Sequence, residues 1–137
     1  MKVALVYAGR DRDDQKVKQI ASSLSSALSK KYEVTLLNAY VDEERLTFYD
    51  FIVLVSTQSS FISARIPDIV PKYLKTTPGA EGKRSLAVVL SGIRSSKTTI
   101  NLMKAMEEQG MLVNASFTVK NTSEAGSLGK NIQLERS

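Results

Sequence analysis

Charged side chains crowd the segment between residues 9 and 14, which directly follows an apolar stretch. The segment consists of Gly9, Arg10, Asp11, Arg12, Asp13 and Asp14. Carboxylates at this spacing are suitable hard-oxygen ligands for Mg²⁺, and guanidinium groups can clamp a phosphate. Aspartates at the start of a helix more often cap it, because they accept hydrogen bonds from its first free N–H groups. We therefore expect a helix cap here rather than a metal site.

The composition excludes several kinds of chemistry, since the 137-residue chain has neither cysteine nor histidine. Disulfides, thiolate nucleophiles, Cys/His zinc sites and imidazole bases are all ruled out. Carboxylates, lysines, hydroxyl groups and tyrosines remain, together with any bound cofactor. Redox chemistry in this chain must therefore reside in a cofactor.

The net charge of +5 comes from basic residues after residue 50, whereas charges balance before that point. This excess mildly favours anionic ligands, but no run of five like charges suggests a nucleic-acid-binding tail. The apolar stretch over residues 3–8 is too short for a signal peptide, and no apolar run reaches the roughly 18 residues of a membrane span. We expect a cytoplasmic protein that binds neither nucleic acid nor membrane.

Apolar segments alternate with helical patterns along the whole chain. Wholly apolar segments at 3–7, 51–55 and 86–90 predict strands buried on both faces, and segments 33–37 and 111–119 predict two more. Helical spacing of apolar residues predicts helices within 17–28, 66–74, 96–110 and after 122, and residues 42–45 have room for one helical turn. This alternation predicts a single domain over residues 1–137, of the α/β class, with a doubly wound parallel sheet in three layers.

Ligands of doubly wound sheets bind beyond the carboxyl ends of the strands, which makes three loops the candidate site. The first loop is the charged segment 9–14. The second loop contains Ser56, Thr57, Gln58, Ser59, Ser60 and Phe61, and the third contains Ser91, Gly92, Ile93 and Arg94. In the third loop the glycine permits close backbone approach and the arginine supplies a cation.

Over nearly its whole length the chain resembles the flavodoxin-like family in element order and loop placement. Residues 48–57 are similar to the family's third strand and first flavin loop, and residues 90–92 with the helix ending near Gly110 are similar to its fourth strand and next helix. The resemblance implies a five-stranded sheet of order 2-1-3-4-5, FMN as cofactor, and electron transfer with a redox partner protein rather than catalysis by side chains. It places the FMN phosphate on the first loop and the isoalloxazine ring between the other two, where Phe61 can stack on it.

The first loop departs from the family pattern, which usually offers several Ser or Thr hydroxyls to the phosphate. None is present between residues 9 and 14, and two arginines against three aspartates leave a formal charge of −1. A second hypothesis therefore stays open beside the FMN protein. It is a flavodoxin-like scaffold that has lost FMN and serves as an interaction or small-anion-binding domain.

Overall fold

Strands and helices alternate along residues 1–135, the part of the chain that the computed structural model describes; residues 136 and 137 of the predicted domain lie outside it. The elements are β1 (Lys2–Ala8), α1 (Gln15–Leu28), β2 (Glu33–Asn38), β3 (Phe51–Ser56), α2 (Ile69–Thr76), β4 (Arg84–Leu90), α3 (Ser95–Glu108), β5 (Leu112–Val119) and α4 (Thr122–Asn131). All neighbouring strands are parallel, in the order β2-β1-β3-β4-β5. The predicted α/β class and strand order are thus confirmed.

Two apolar cores lie on opposite faces of the sheet, because successive strand side chains point to opposite sides. Val6 and Leu54 face the core that contains Leu102 of α3. Leu5 and Val53 face the other core, which α1 and α4 cover. Helices on both faces explain why the central strands carry no polar alternation.

The two edge strands are less buried than the central ones. Every residue of β3 is buried, whereas β2 and β5 each bury a single residue completely. Each edge strand has a neighbour on one side only. The wholly apolar segments therefore identified the centre of the sheet, and the mixed segments its edges.

Residues 42–45 do not form the helical turn that their polarity suggested. The chain turns earlier, where the Asn38 carbonyl accepts hydrogen bonds from the N–H groups of Val41 and Asp42. The Asp42 carboxylate then accepts a 2.6 Å bond from the Asn38 N–H. Asn and Asp favour such turns because their side chains bond to nearby backbone groups, so Asp42 closes a turn instead of starting a helix.

Helix α2 begins later than the apolar spacing from residue 66 indicated. Pro67 precedes the helix, and Pro71 is its third residue. A proline in the first helical turn is tolerated because the N–H it lacks would have no partner within the helix. No helix within residues 1–135 has the length and apolar character needed to cross a membrane.

Tyr73 of α2 is 4% exposed, and its hydroxyl has no hydrogen-bond partner among the described residues. We expect Tyr73→Phe to leave the free energy of unfolding unchanged or raise it by about 1 kcal/mol, because an unpaired buried hydroxyl is destabilising. In contrast, Tyr40→Phe should lower it by about 1 kcal/mol, since the Tyr40 hydroxyl donates a 2.7 Å bond to the Gly9 carbonyl. Urea unfolding of both variants measures the difference, and a larger loss for Tyr73→Phe would contradict the expectation.

The burial of Tyr73 also predicts that the free energy of unfolding falls at alkaline pH. Burial raises the pKa of Tyr73 from 10.0 to about 12, so the folded state holds this proton more tightly than the unfolded state does. The resulting stabilisation is complete below pH 10 and is lost as the pH rises through about 12. Tyr73→Phe should therefore lose less stability over that pH window than the parent protein, as urea unfolding along a pH series would show.

Candidate functional site

The carboxyl ends of β1, β3 and β4 lie side by side. Ala8 pairs with Ser56, and Ser56 pairs with Val89. This register brings the three loops that follow these strands to one edge of the sheet, as expected for a doubly wound fold. A cleft of about 270 Å³ lies among them, lined by Arg10, Asp14, Lys16, Thr57, Gln58, Phe61, Leu90, Ser91, Gly92 and Ile93.

The other predicted site residues lie around the cleft without lining it. They are Gly9, Asp11, Arg12, Asp13, Ser56, Ser59, Ser60 and Arg94. Two lining residues, Lys16 and Leu90, escaped the sequence reasoning, which stopped at the loop ends. Lys16 lies in the first turn of α1 and Leu90 at the end of β4, and these positions beside the loops were the sequence feature that could have indicated their place in the cleft lining.

Asp14 is the N-cap of α1, as its position before the apolar stripe predicts. Its carboxylate accepts bonds from the Val17 N–H at 3.3 Å and from the Arg10 N–H at 3.0 Å. The turn around it leaves no room for a side chain at Gly9, where a Cβ would lie 2.3 Å from the Asp14 Cβ. The glycine and the aspartate therefore fit together as one cap.

Asp11 completes this arrangement with two further bonds. Its side chain accepts from the Asp13 N–H at 2.8 Å, and its carbonyl accepts from the Asp14 N–H at 3.3 Å. Together, Asp11 and Asp14 occupy four N–H groups of the kind that a phosphate site uses. Residues 1–135 contain no group of three or more acidic side chains placed to hold a metal ion.

The residues of the first loop do not fit the FMN phosphate that the family resemblance implies. A bound phosphate needs free N–H groups and positive charge at the helix start. Here the Asp14 carboxylate accepts bonds from the Val17 N–H in the first turn of the helix and from the Arg10 N–H in the loop, and Asp11 and Asp13 add negative charge beside it. The sequence had indicated an altered phosphate site, and the hydrogen bonds give the physical reason.

Gln58 joins all three loops from a buried position, with 2% of its surface exposed. Its side-chain oxygen accepts a 2.8 Å bond from the Arg94 N–H, and its amide nitrogen donates to the carbonyls of Ser60 and Phe61 at 3.2 and 3.1 Å. The Arg10 guanidinium donates a 3.0 Å bond to the Gln58 backbone carbonyl. Gln58 thus fixes the separation of the loops that form the cleft.

Gly92 allows this arrangement, because a Cβ at its position would lie 2.4 Å from the Gln58 side-chain oxygen. Ser56, by contrast, serves the sheet: its hydroxyl donates a buried 2.7 Å bond to the Ala8 carbonyl. Arg94 contributes its backbone N–H to the network while its residue remains exposed at the start of α3. Sequence reasoning had placed all three in the site without distinguishing these roles.

Apolar side chains stand exposed around the cleft. Phe61 and Ile93 line it from opposite loops and are 68% and 66% exposed, and the neighbouring Ile62 is 75% exposed. Exposed apolar groups beside polar groups are typical of a surface that binds a ligand or partner. This arrangement suits a planar ligand with apolar faces and polar edges.

Several larger depressions lie elsewhere on the surface. One of about 560 Å³ is lined in part by Lys2, Glu33 and Phe48, and one of about 410 Å³ borders α2 near Tyr73. The first lies towards the amino ends of β1 and β2, away from the edge where ligands of this fold class bind. We place the candidate site in the smaller cleft because it lies where the loops after β1, β3 and β4 meet.

Several solved structures with the same fold are flavodoxins. Oxidised flavodoxin 1 from Bacillus cereus matches with a TM-score of 0.70 and 13% identity, over 97% of this chain and 100% of that one. A flavodoxin from the domain Archaea matches with a TM-score of 0.70 and 22% identity, over 96% of each chain. Two-electron reduced flavodoxin from Megasphaera elsdenii matches with a TM-score of 0.74 and 16% identity, over 93% of this chain and 96% of that one.

Neither protein-family models nor curated proteins gave a match to the sequence. The likeness therefore rests on the structure, and at these identities it establishes the fold. It extends over nearly the whole chain and agrees with the sheet order, the helical layers and the loop positions described above. The protein has a flavodoxin-like fold.

Proposed function

We propose that this protein transfers electrons by means of a flavin whose isoalloxazine ring binds between the second and third loops. The observation that carries the proposal is the pair Phe61 and Ile93, which line one cleft from two different loops while remaining largely exposed. Apolar side chains in this position can cover the faces of a planar ring and exclude water from it.

The chain's own residues would hold and tune the ring. Thr57 and Ser91 line the cleft and supply hydroxyl groups for the edges of a ring. Gln58 keeps the two loops at a fixed separation before the ligand arrives, which lowers the entropic cost of binding. A bound flavin supplies one- and two-electron redox chemistry, which this chain's side chains do not provide.

A redox partner protein belongs to the same proposal. Electrons must enter and leave at the exposed edge of the cleft, where Phe61, Ile62 and Ile93 reach the surface. The proposal assigns no substrate-converting reaction to the protein's side chains. Its role is to position the ring and to set the environment of that ring.

The second candidate function is an interaction or anion-binding domain that has lost its flavin. The first loop favours it, because its own carboxylates accept the hydrogen bonds that a phosphate would need. The exposed apolar rim is then a surface for a protein partner. This candidate predicts that no flavin binds at the cleft.

Quenching of riboflavin fluorescence by the purified protein separates the two candidates. We expect saturable quenching, and we expect Phe61→Ala to weaken binding about tenfold because it removes an aromatic face worth about 1 kcal/mol or more. Ile62→Ala is the matched control: its side chain is equally exposed but lies outside the cleft lining. Absence of quenching with both riboflavin and FMN, or equal losses in both variants, would contradict ring binding in this cleft.

A further inference from the structure

We propose that Asp14 makes the cleft select a flavin without a phosphate, such as riboflavin, over FMN. This inference rests on the proposed function, because it concerns the ligand of the same cleft. It assigns to Asp14 the role of a specificity-determining residue. It also explains the altered first loop as a preference for an uncharged ligand.

The Asp14 carboxylate occupies the place that a flavin phosphate would take. Asp14 lines the cleft and lies at the start of α1, where the N–H groups and the helix dipole attract negative charge. It accepts bonds from the N–H groups of Arg10 and Val17. A phosphate entering here would have to displace a carboxylate that is covalently part of the loop and already bonded.

The carboxylates around Asp14 also oppose a phosphate. Asp11 and Asp13 are exposed beside Asp14, so a phosphate dianion would approach three carboxylates. Arg10, Arg12 and Lys16 are the nearby cations, and the Nε of Arg10 donates to the Gln58 carbonyl. Three carboxylates therefore balance three cations, so the helix start offers a phosphate dianion no net positive charge.

The Asp14 carboxylate can still accept hydrogen bonds from a ligand. An ionised carboxylate has about four lone-pair sites, and Asp14 uses one on each oxygen for the bonds described above. The remaining sites can accept bonds from hydroxyl groups. An uncharged polyhydroxyl chain, like that of riboflavin, therefore suits this end of the cleft where a phosphate does not.

Fluorescence titrations of the full chain with riboflavin and with FMN test the inference. We expect FMN to bind about tenfold more weakly at low salt, and the gap to narrow at about 0.5 M salt because screening weakens charge repulsion. In Asp14→Asn we expect FMN affinity to rise about fivefold or more, while riboflavin affinity stays within about twofold. Asparagine caps helices as well as aspartate does, so this variant removes the charge and keeps the cap on the Val17 N–H, while its amide nitrogen cannot accept the bond from the Arg10 N–H.

Glu108→Gln serves as the control for net charge. Glu108 is exposed at the far end of α3, so its replacement changes the total charge equally without touching the cleft. Its FMN affinity should match that of the parent. If FMN binds as tightly as riboflavin, or if Asp14→Asn leaves the ratio unchanged, the inference is overturned while the proposed function stands. If neither flavin binds, both fail.

Discussion

Replacing Gly79 with alanine is expected to lower the free energy of unfolding by about 3–5 kcal/mol, a large part of a typical domain's stability. Gly79 has a φ of +103°, and a Cβ there would lie 2.1 Å from the Thr47 backbone nitrogen and 2.6 Å from the Leu46 carbonyl carbon. The obstacle is backbone, so the segment at residues 46–47 would have to move. That movement would disturb Leu46, which is fully buried and donates a 2.8 Å bond to the Pro78 carbonyl.

Gly82→Ala is the matched control for this substitution. Gly82 also has a positive φ, of +78°, but a Cβ there would meet nothing within 4 Å. Gly82→Ala should therefore lower the free energy of unfolding by only about 1–2 kcal/mol, the strain of a left-handed backbone conformation. Urea unfolding followed by circular dichroism measures both variants, and equal losses would show that the contact with Thr47 is unimportant.

Replacing Gln58 with leucine is expected to separate the second and third loops and to lower the free energy of unfolding by about 2–3 kcal/mol. The change removes three hydrogen bonds from a buried side chain. The Arg94 N–H loses its acceptor, so its hydrogen exchange should become about tenfold faster or more. Flavin affinity should fall as well, since the loops are no longer held in place before binding.

Gln133→Leu is the control, because it makes the same chemical change at an exposed residue. It should alter the free energy of unfolding by no more than about 0.5 kcal/mol and leave the Arg94 exchange rate unchanged. Amide exchange followed by NMR reports on Arg94 directly. Unchanged exchange at Arg94 in Gln58→Leu would mean that the two loops are held together by other contacts.

The features that the sequence predicted correctly are local ones. Residues 51–55 are wholly apolar and rich in β-branched side chains, a pattern typical of a strand covered on both faces. The three aspartates of the first loop predicted a capped helix, and Asp14 is the one that caps it. The order of such segments was enough to indicate a doubly wound sheet.

The features that escaped prediction depend on residues far apart in the chain. Gln58 bonds to an N–H group 36 residues later, and nothing in the polar loop marks it as the residue that joins three loops. The close approach of Gly79 to Thr47 likewise depends on how two distant loops pack. Polar composition predicted the position of the loops but not their hydrogen bonds.

The central claim is that a flavin ring binds between the second and third loops of this flavodoxin-like fold. Titration of the ¹⁵N-labelled protein with riboflavin, followed by amide chemical shifts, tests it most directly. We predict saturable changes at residues 57–61 and 90–94, with the amides of Glu33 and Phe48 beside the largest depression unchanged. Changes centred on Glu33 and Phe48, or none at any amide, would contradict the claim.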